Sequence, residues 1–121
     1  MSYDVERTPP ALCVPTLIFS EAGINASGVT IAAGFALQRL VVTGIDVHSG
    51  TTIVPETLNC YIASSTATFF TWTTGVLTEP AGSSWRGAIP LLYGQSIKCS
   101  TSDSMDVVVW GYLMADLAWP T

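Results

Sequence analysis

The fold class is decided by residues 84–114, which read SWRGAIPLLYGQSIKCSTSDSMDVVVWGYLM. Over 85–91, apolar or small side chains occupy every second position, as they do on the buried face of a β-strand. A turn containing Gly94 follows, a second alternating segment covers 97–101, and a polar link leads to a third segment at 105–114. The stretch therefore predicts three consecutive strands that pair with one another as an antiparallel meander.

The last of these strands is apolar on both faces. Its side chains are Val107, Val109 and Leu113 on one face, and Val108, Trp110, Tyr112 and Met114 on the other. Strands of this kind are covered on both sides, so we expect it to be central in its sheet or to lie at a subunit interface. In the strand before the turn, Pro90 lacks the backbone N–H that a central strand donates, which predicts a sheet edge or a bulge.

Further segments upstream are rich in β-branched and aromatic residues and are bounded by turn residues. They cover residues 12–19, 29–32, 37–47, 58–63 and 67–72. Together the segments predict an all-β chain, an antiparallel β-sandwich of jelly-roll type with about eight strands. A helical turn over 35–40 is an open alternative, and the threonine-rich segment 65–75 predicts a ribbon with a hydroxyl-bearing face.

The two ends differ from the body of the chain. Residues 1–10 carry charges and the pair Pro9-Pro10, which favours an extended N-terminal arm. Residues 115–121 have lost the alternation and are predicted to form a C-terminal tail, which leaves 11–114 as a single β-sandwich domain. The start of the chain lacks the basic and apolar regions of a secretory signal, so we expect the protein to be made and kept in the cytosol.

Charge is scarce in this chain. Charged residues make up 11% of its 121 residues and apolar residues 49%, against about 25% charged in an average soluble protein. A surface this poor in charge is expected to be covered in part by something else, so we predict that the protein forms an oligomer or docks on a partner. The net charge is −5 without any Lys/Arg cluster, which argues against nucleic acid. Apolar runs fall short of the roughly 18 residues of a membrane helix, so no membrane partner is expected.

The residue types that carry catalysis elsewhere form no recognisable active site in this sequence. His48 is the single histidine, and although Asp46 could share its face of a strand, no nucleophile motif accompanies the pair. Nothing selects a carboxylate pair from Asp46, Glu56 and Glu79 for glycosidic chemistry. We therefore predict a surface or hydrogen-bonded role for His48, no metal or other cofactor, and no enzymatic activity.

The cysteines and two late aspartates are predicted to have structural roles. Cys13, Cys60 and Cys99 are odd in number and widely spaced, which favours reduced core residues over an intersubunit disulfide or a metal site. Asp103 and Asp106 lie beside serines and are expected to bond the backbone of their turn rather than a cation.

Tryptophans are candidates for contacts with a partner. Trp72, Trp85 and Trp110 lie in patterned strands and are expected in the core or at a subunit interface. Trp119 lies in the tail, where it is better placed to dock. A platform for carbohydrate is the alternative role of these side chains.

The C-terminal stretch resembles a known family. Trp85-Arg86-Gly87, a strand, a glycine-containing turn, a second strand and a last strand closing on Gly111-Tyr112-Leu113 resemble the C-terminal half of small structural proteins of tailed bacteriophages. Those proteins include jelly-roll decoration, or cement, proteins that clamp the outside of an icosahedral head. The resemblance covers about a quarter of the chain.

The resemblance implies a non-enzymatic structural virion protein that is made in the host cytoplasm. It would bind the major capsid protein on the capsid exterior as a homo-oligomer, and symmetric capsid positions would favour a homodimer or homotrimer. Its arm could add a strand to a neighbour's sheet. Many weak contacts would then sum through multivalency. The residues expected to contact partners are Tyr3, Arg7, Trp110, Tyr112 and Trp119.

Two other functions remain open. A phage tail or fibre module that binds host carbohydrate through a jelly-roll face would show exposed Trp and Tyr beside amide or carboxylate groups in a concave site. A small cupin-like enzyme ranks last, because cupin metal sites usually draw on several histidines.

Overall fold

Eight β-strands make up the body of the protein in a computed structural model that describes residues 16–34, 38–64 and 67–115. The strands are β1 (Thr16–Ile24), β2 (Val29–Ala33), β3 (Gln38–Ser49), β4 (Glu56–Ile62), β5 (Ala67–Thr74), β6 (Ala81–Leu91), β7 (Ser96–Thr101) and β8 (Met105–Ala115). Each of them overlaps a segment predicted from the sequence, so the prediction of an all-β fold with eight strands is confirmed.

The strands form two antiparallel sheets of four. Sheet 1 has the order β1-β8-β3-β6 and sheet 2 the order β2-β7-β4-β5. The first strand pairs with the eighth, the second with the seventh, the third with the sixth and the fourth with the fifth. This is one long two-stranded ribbon rolled up so that every connection except β4–β5 passes between the sheets, which is the arrangement of a jelly roll.

The predicted meander of the last three strands is wrong. β6 and β8 lie in sheet 1 with β3 between them, while β7 lies in sheet 2. The alternation of side chains indicates which face of a strand is buried, but it carries no information about the neighbouring strand. The turn after β6 leads the chain across to the other sheet, and there Leu92 donates its N–H to the Gln95 side chain and Gly94 adopts a φ of +90°.

Two predictions about strand position are confirmed. β8 is an inner strand of sheet 1, between β1 and β3, and Pro90 lies in β6 at the edge of that sheet. The alternative of a helical turn over 35–40 is wrong for residues 38–40, because they belong to β3. Residues 35–37, like the arm over 1–10 and most of the tail over 115–121, lie outside the described residues.

The core lies between the sheets and consists of apolar side chains from both. Fully buried side chains include Ile31, Val42, Ile45, Leu58, Leu91, Ile97, Met105, Val107 and Val109. Trp72 and Trp85 pack against this cluster, as predicted for a core role. Trp85 of sheet 1 also meets Phe69 of sheet 2 edge to face, with ring centroids 5.0 Å apart, and this aromatic pair closes one side of the sandwich.

Large apolar side chains are exposed at both ends of the sandwich. At one end, the β3–β4 and β5–β6 loops present the loop tip, which we define as Ile53, Val54 and Val76. At the opposite end, the β6–β7 turn exposes Leu92 and Tyr93. Both ends therefore offer apolar surface to solvent.

Candidate binding sites on the two sheet faces

A network of polar side chains is centred on Asp46 on the outer face of sheet 1. Ser84 Oγ donates to Asp46 Oδ1 at 2.9 Å, and Trp110 Nε1 donates to Oδ2 at 2.8 Å. Arg86 Nη2 lies 2.8 Å from Oδ1, and Arg86 Nη1 donates to the carbonyl oxygen of Trp85 at 2.9 Å. The carboxylate thus joins side chains from β3, β6 and β8.

Gly44 makes this arrangement possible. It lies opposite Arg86 on β6 and opposite Trp110 on β8, and a Cβ atom at this position would come within 2.9 Å of Arg86 Nη1. The missing side chain leaves room for the guanidinium group. It also leaves an open cavity of about 360 Å³ lined by Thr43, Gly44, Asp46, Arg86 and Trp110, which we call the Asp46 cavity.

The electrostatics of the network keep Asp46 ionised. Partial burial by itself would raise the pKa of the carboxyl, but the hydrogen bonds from Arg86, Ser84 and Trp110 and the charge of Arg86 outweigh it and lower the pKa below its usual value. Within the described residues, Arg86 uses two of its five N–H donors on Asp46 and Trp85. The cavity therefore combines an indole, an ionised carboxylate and spare donors.

The structure places two of the predicted partner-binding residues and leaves three outside the described part of the chain. Trp110 and Tyr112 are half-buried on the outer face of sheet 1, and Trp110 belongs to the Asp46 network rather than to the core cluster. Tyr3, Arg7 and Trp119 lie outside the described residues.

His48 has the surface position that the sequence predicted. Its side chain is 56% exposed, and Nδ1 lies 3.6 Å from Asp106 Oδ2. Asp106 also accepts the N–H of Gly23, in β1, at 2.8 Å. It therefore bonds another strand, whereas the sequence predicted a bond to the backbone of its own turn. Asp103 does accept the N–H of Ser104, at 2.7 Å.

The carboxylates considered for glycosidic chemistry lie in different parts of the fold. Asp46 is on the outer face of sheet 1, Glu79 is in an exposed loop, and Glu56 is buried, with the Ser49 hydroxyl donating to its Oε1. Among the described residues, no three His, Cys, Asp or Glu side chains come together as a metal site would require.

The outer face of sheet 2 is a second polar surface. Thr68, Thr71 and Thr73 are exposed along β5, which confirms the predicted hydroxyl-bearing face. Thr71 donates to Asn59 Oδ1 at 3.0 Å. Next to this pair, an open cavity of about 430 Å³ is lined by Asn59, Tyr61, Thr68 and Ser100.

Cys60 and Cys99 are free and buried, as predicted, while Cys13 lies outside the described residues. Burial, reinforced by the neighbouring thiol, raises the pKa of Cys60 to about 12. Burial, with the charge of Glu21, raises the pKa of Cys99 to about 11. Thiols in this state are poor nucleophiles at neutral pH.

Sequence reasoning missed Arg86, Thr43 and Ser84 as site residues. The alternation over 85–91 does put Arg86 on the outward face, but Asp46 was considered only as a partner of His48 or of another carboxylate. The register that places Gly44 of β3 opposite Arg86 and Trp110 brings the side chains of the three strands together. In the sequence, the one local signal of this close approach of side chains is a glycine between two segments rich in β-branched residues.

No protein-family model matches the chain, and no curated protein matches it significantly. Across the described ranges, no helix has the length and apolar character that crossing a membrane requires.

Proposed function

We propose that the protein is a non-enzymatic structural virion protein that decorates the exterior of a phage capsid as a homo-oligomer. It is made in the host cytoplasm and binds the major capsid protein. The observation that supports the proposal is the exposure of large apolar side chains at both ends of a charge-poor jelly roll. Ile53 is 88% exposed and Tyr93 75%.

Two apolar ends suit a protein that connects partners. Isolated exposed hydrophobic side chains are common on soluble proteins, but their concentration at opposite ends of one sandwich favours contacts with other chains. Aromatic and aliphatic side chains on projecting loops are the type of residue that fills pockets at protein interfaces. A decoration protein needs such contacts both to the capsid and to its neighbours.

The proposal is tested by co-sedimentation of the full-length protein with undecorated capsids of the virus that carries the gene. We expect the wild type to sediment with capsids and Tyr93→Asp to bind at least roughly tenfold more weakly, because a charge would have to be buried in an apolar contact. Thr68→Asp adds the same charge to an exposed position of β5 and serves as the control. A wild-type protein that stays in the supernatant at micromolar concentration overturns the proposal.

The Asp46 cavity favours a second candidate function, the binding of host carbohydrate by a phage tail or fibre module. An indole beside an ionised carboxylate and a guanidinium with spare donors offers both a surface for the apolar face of a sugar ring and partners for its hydroxyls. The volume of about 360 Å³ is in the range of small-molecule sites.

A glycan array followed by calorimetry tests the second function. We expect a bound glycan to lose at least roughly tenfold in affinity in Asp46→Asn and Trp110→Ala, since each removes a group that lines the cavity. Asn59→Ala alters the polar face of sheet 2 and should leave that affinity unchanged. An array without any retained glycan excludes this function and leaves the structural one.

A further inference from the structure

Cys60 and Cys99 occupy facing positions on the two inner strands of sheet 2. β4 and β7 are neighbours in the order β2-β7-β4-β5, and their register places Cys60 directly opposite Cys99. Both side chains are fully buried and belong to the core cluster between the sheets. Because they lie at the same level on the same face of the sheet, their thiols enter the same part of the core.

The hydrogen bonds at the two ends of the β4–β7 pairing define the type of this cysteine pair. Ser102 donates its N–H to the carbonyl oxygen of Thr57 at 3.0 Å, and Ala63 donates its N–H to that of Ser96 at 2.9 Å. Hydrogen-bonded and non-hydrogen-bonded pairs alternate along an antiparallel ladder. The cysteine pair lies three positions from each of these two bonds, so it is a non-hydrogen-bonded pair.

A pair of this type has the geometry that a disulfide requires. Its α-carbons are about 4.5 Å apart and its side chains are closer than in a hydrogen-bonded pair, while disulfide-bonded cysteines have α-carbon separations of about 4.4–6.8 Å. Burial raises the pKa of Cys60, and the neighbouring thiol of Cys99 raises it further, which is a second sign that the two sulfurs are close. A bond between them requires little movement of either strand.

We propose that Cys60 and Cys99 form an oxidation site, a dithiol that small-molecule disulfides such as oxidised glutathione convert into a disulfide across β4 and β7. One cysteine thiolate attacks a sulfur of oxidised glutathione and releases one reduced glutathione. The second thiolate attacks the protein sulfur of the resulting mixed disulfide and releases the other. The disulfide of glutathione is thereby reduced, the protein gains one S–S bond, and the two thiol protons end on the two released glutathione molecules.

The new bond stabilises the interior of sheet 2. It joins the two inner strands and closes a loop that contains β5 and β6, which restricts the unfolded chain. A reducing compartment such as the cytosol keeps the two thiols, and an oxidising medium closes them. The site goes beyond the proposed function, since its closure requires neither a capsid nor a second copy of the chain.

Burial determines when the pair reacts. Both thiols are enclosed by the core, and burial raises the pKa of each, so the native protein should react slowly at neutral pH. The first exchange takes place when β4 or β7 opens locally, or while the chain folds. The full-length protein is therefore incubated with oxidised and reduced glutathione at about pH 9, and a parallel sample is refolded from urea in the same mixture.

Tryptic digestion identifies the bond, because the four Lys and Arg residues separate the three cysteines. Cys13, Cys60 and Cys99 fall on peptides 8–39, 40–86 and 99–121. After free thiols have been blocked, mass spectrometry without reductant should show peptide 40–86 linked to peptide 99–121. A reductant should separate the two.

Thermal unfolding measures what the bond does to the fold. The oxidised protein should melt at least about 5 °C higher than the reduced protein. Cys13→Ser keeps the pair and should show the same shift, whereas Cys60→Val with Cys99→Val should show none. Protein that keeps both thiols in the native and the refolded samples, a bond to peptide 8–39 in place of the predicted one, or an oxidised form that melts no higher would overturn the inference.

Discussion

Glu56 is the buried acidic residue at the end of the sandwich below the loop tip. It is 2% exposed, as is Ser49, whose hydroxyl donates to Glu56 Oε1. The N–H of Glu56 bonds Thr74 Oγ1 at 3.3 Å. A polar group inside a sandwich is tolerated when its hydrogen bonds are made, so this side chain connects β3 to β4 through its acceptor oxygen.

Two replacements of Glu56 test how much the hydrogen bond from Ser49 contributes to stability. We expect Glu56→Ala to lower the free energy of unfolding by about 2 kcal/mol, because the Ser49 hydroxyl loses its close acceptor and a small cavity remains. Glu56→Gln retains an acceptor oxygen and the volume, so it should cost less than about 1 kcal/mol. Urea unfolding measures both, and equal losses would show that the hydrogen bond has no special weight.

At the scale of single residues, the sequence predicted environments better than partners. Cys60 and Cys99 lie in the core, and Trp72 and Trp85 pack against it half-buried, because alternation within a strand marks the inward positions. The partner of Trp110 was not predictable in this way. Asp46 is 64 positions from Trp110, and only the pairing of β3 with β8 brings them together.

At the scale of strands, the sequence predicted the segments but not their pairing. The eight strands follow from local alternation and turn residues, both of which are readable within about ten positions. Their order in the sheets depends on contacts that are distant in sequence, such as the pairing of Thr16 with Gly111. The meander prediction failed because it assigned the nearest strand in sequence as the nearest in space.

Two buried thiols on neighbouring strands of sheet 2 should make the stability of the protein depend on pH under alkaline conditions. Cys60 of β4 lies directly opposite Cys99 of β7, and their thiols have pKa values raised from 9.0 to about 12 and about 11. A raised pKa means that the unfolded chain loses these protons first. Stability is therefore independent of the two thiols below about pH 9 and falls as the pH rises from 9 toward 11.

A double variant isolates this contribution. Cys60→Val with Cys99→Val keeps apolar side chains of similar size and removes the two ionisations, so its stability should decline less steeply between pH 9 and 11 than that of the wild type. Tyrosine and lysine ionisation remains in both proteins and serves as the common background. Parallel stability curves in guanidinium titrations would contradict the assignment.

At the scale of the whole molecule, the prediction of an N-terminal arm over 1–10 leads to an experiment. The eight strands of the part of the chain that the structure describes lie within residues 16–115. We expect removal of residues 1–10 to leave the melting temperature and circular dichroism of the free protein nearly unchanged. Retention on capsids should weaken, because Tyr3 and Arg7 are predicted to contact a neighbouring subunit.

The same co-sedimentation assay checks this prediction, with the full-length chain as the reference. Equal retention of the two forms would assign docking to the faces of the sandwich or to the C-terminal tail with Trp119. A truncated protein that fails to fold would instead show that the segment contributes to the core.

The position of β8 between β1 and β3 has a consequence for folding during synthesis on the ribosome. Thr16 and Gly111, which face each other in sheet 1, are 95 positions apart. At a translation rate of about 5–20 residues per second, β1 is synthesised roughly 5–20 s before its neighbour β8. During that interval the apolar edges of β1 and β3 are open to other nascent chains on the same message, and holding chaperones become a factor in the yield of native protein.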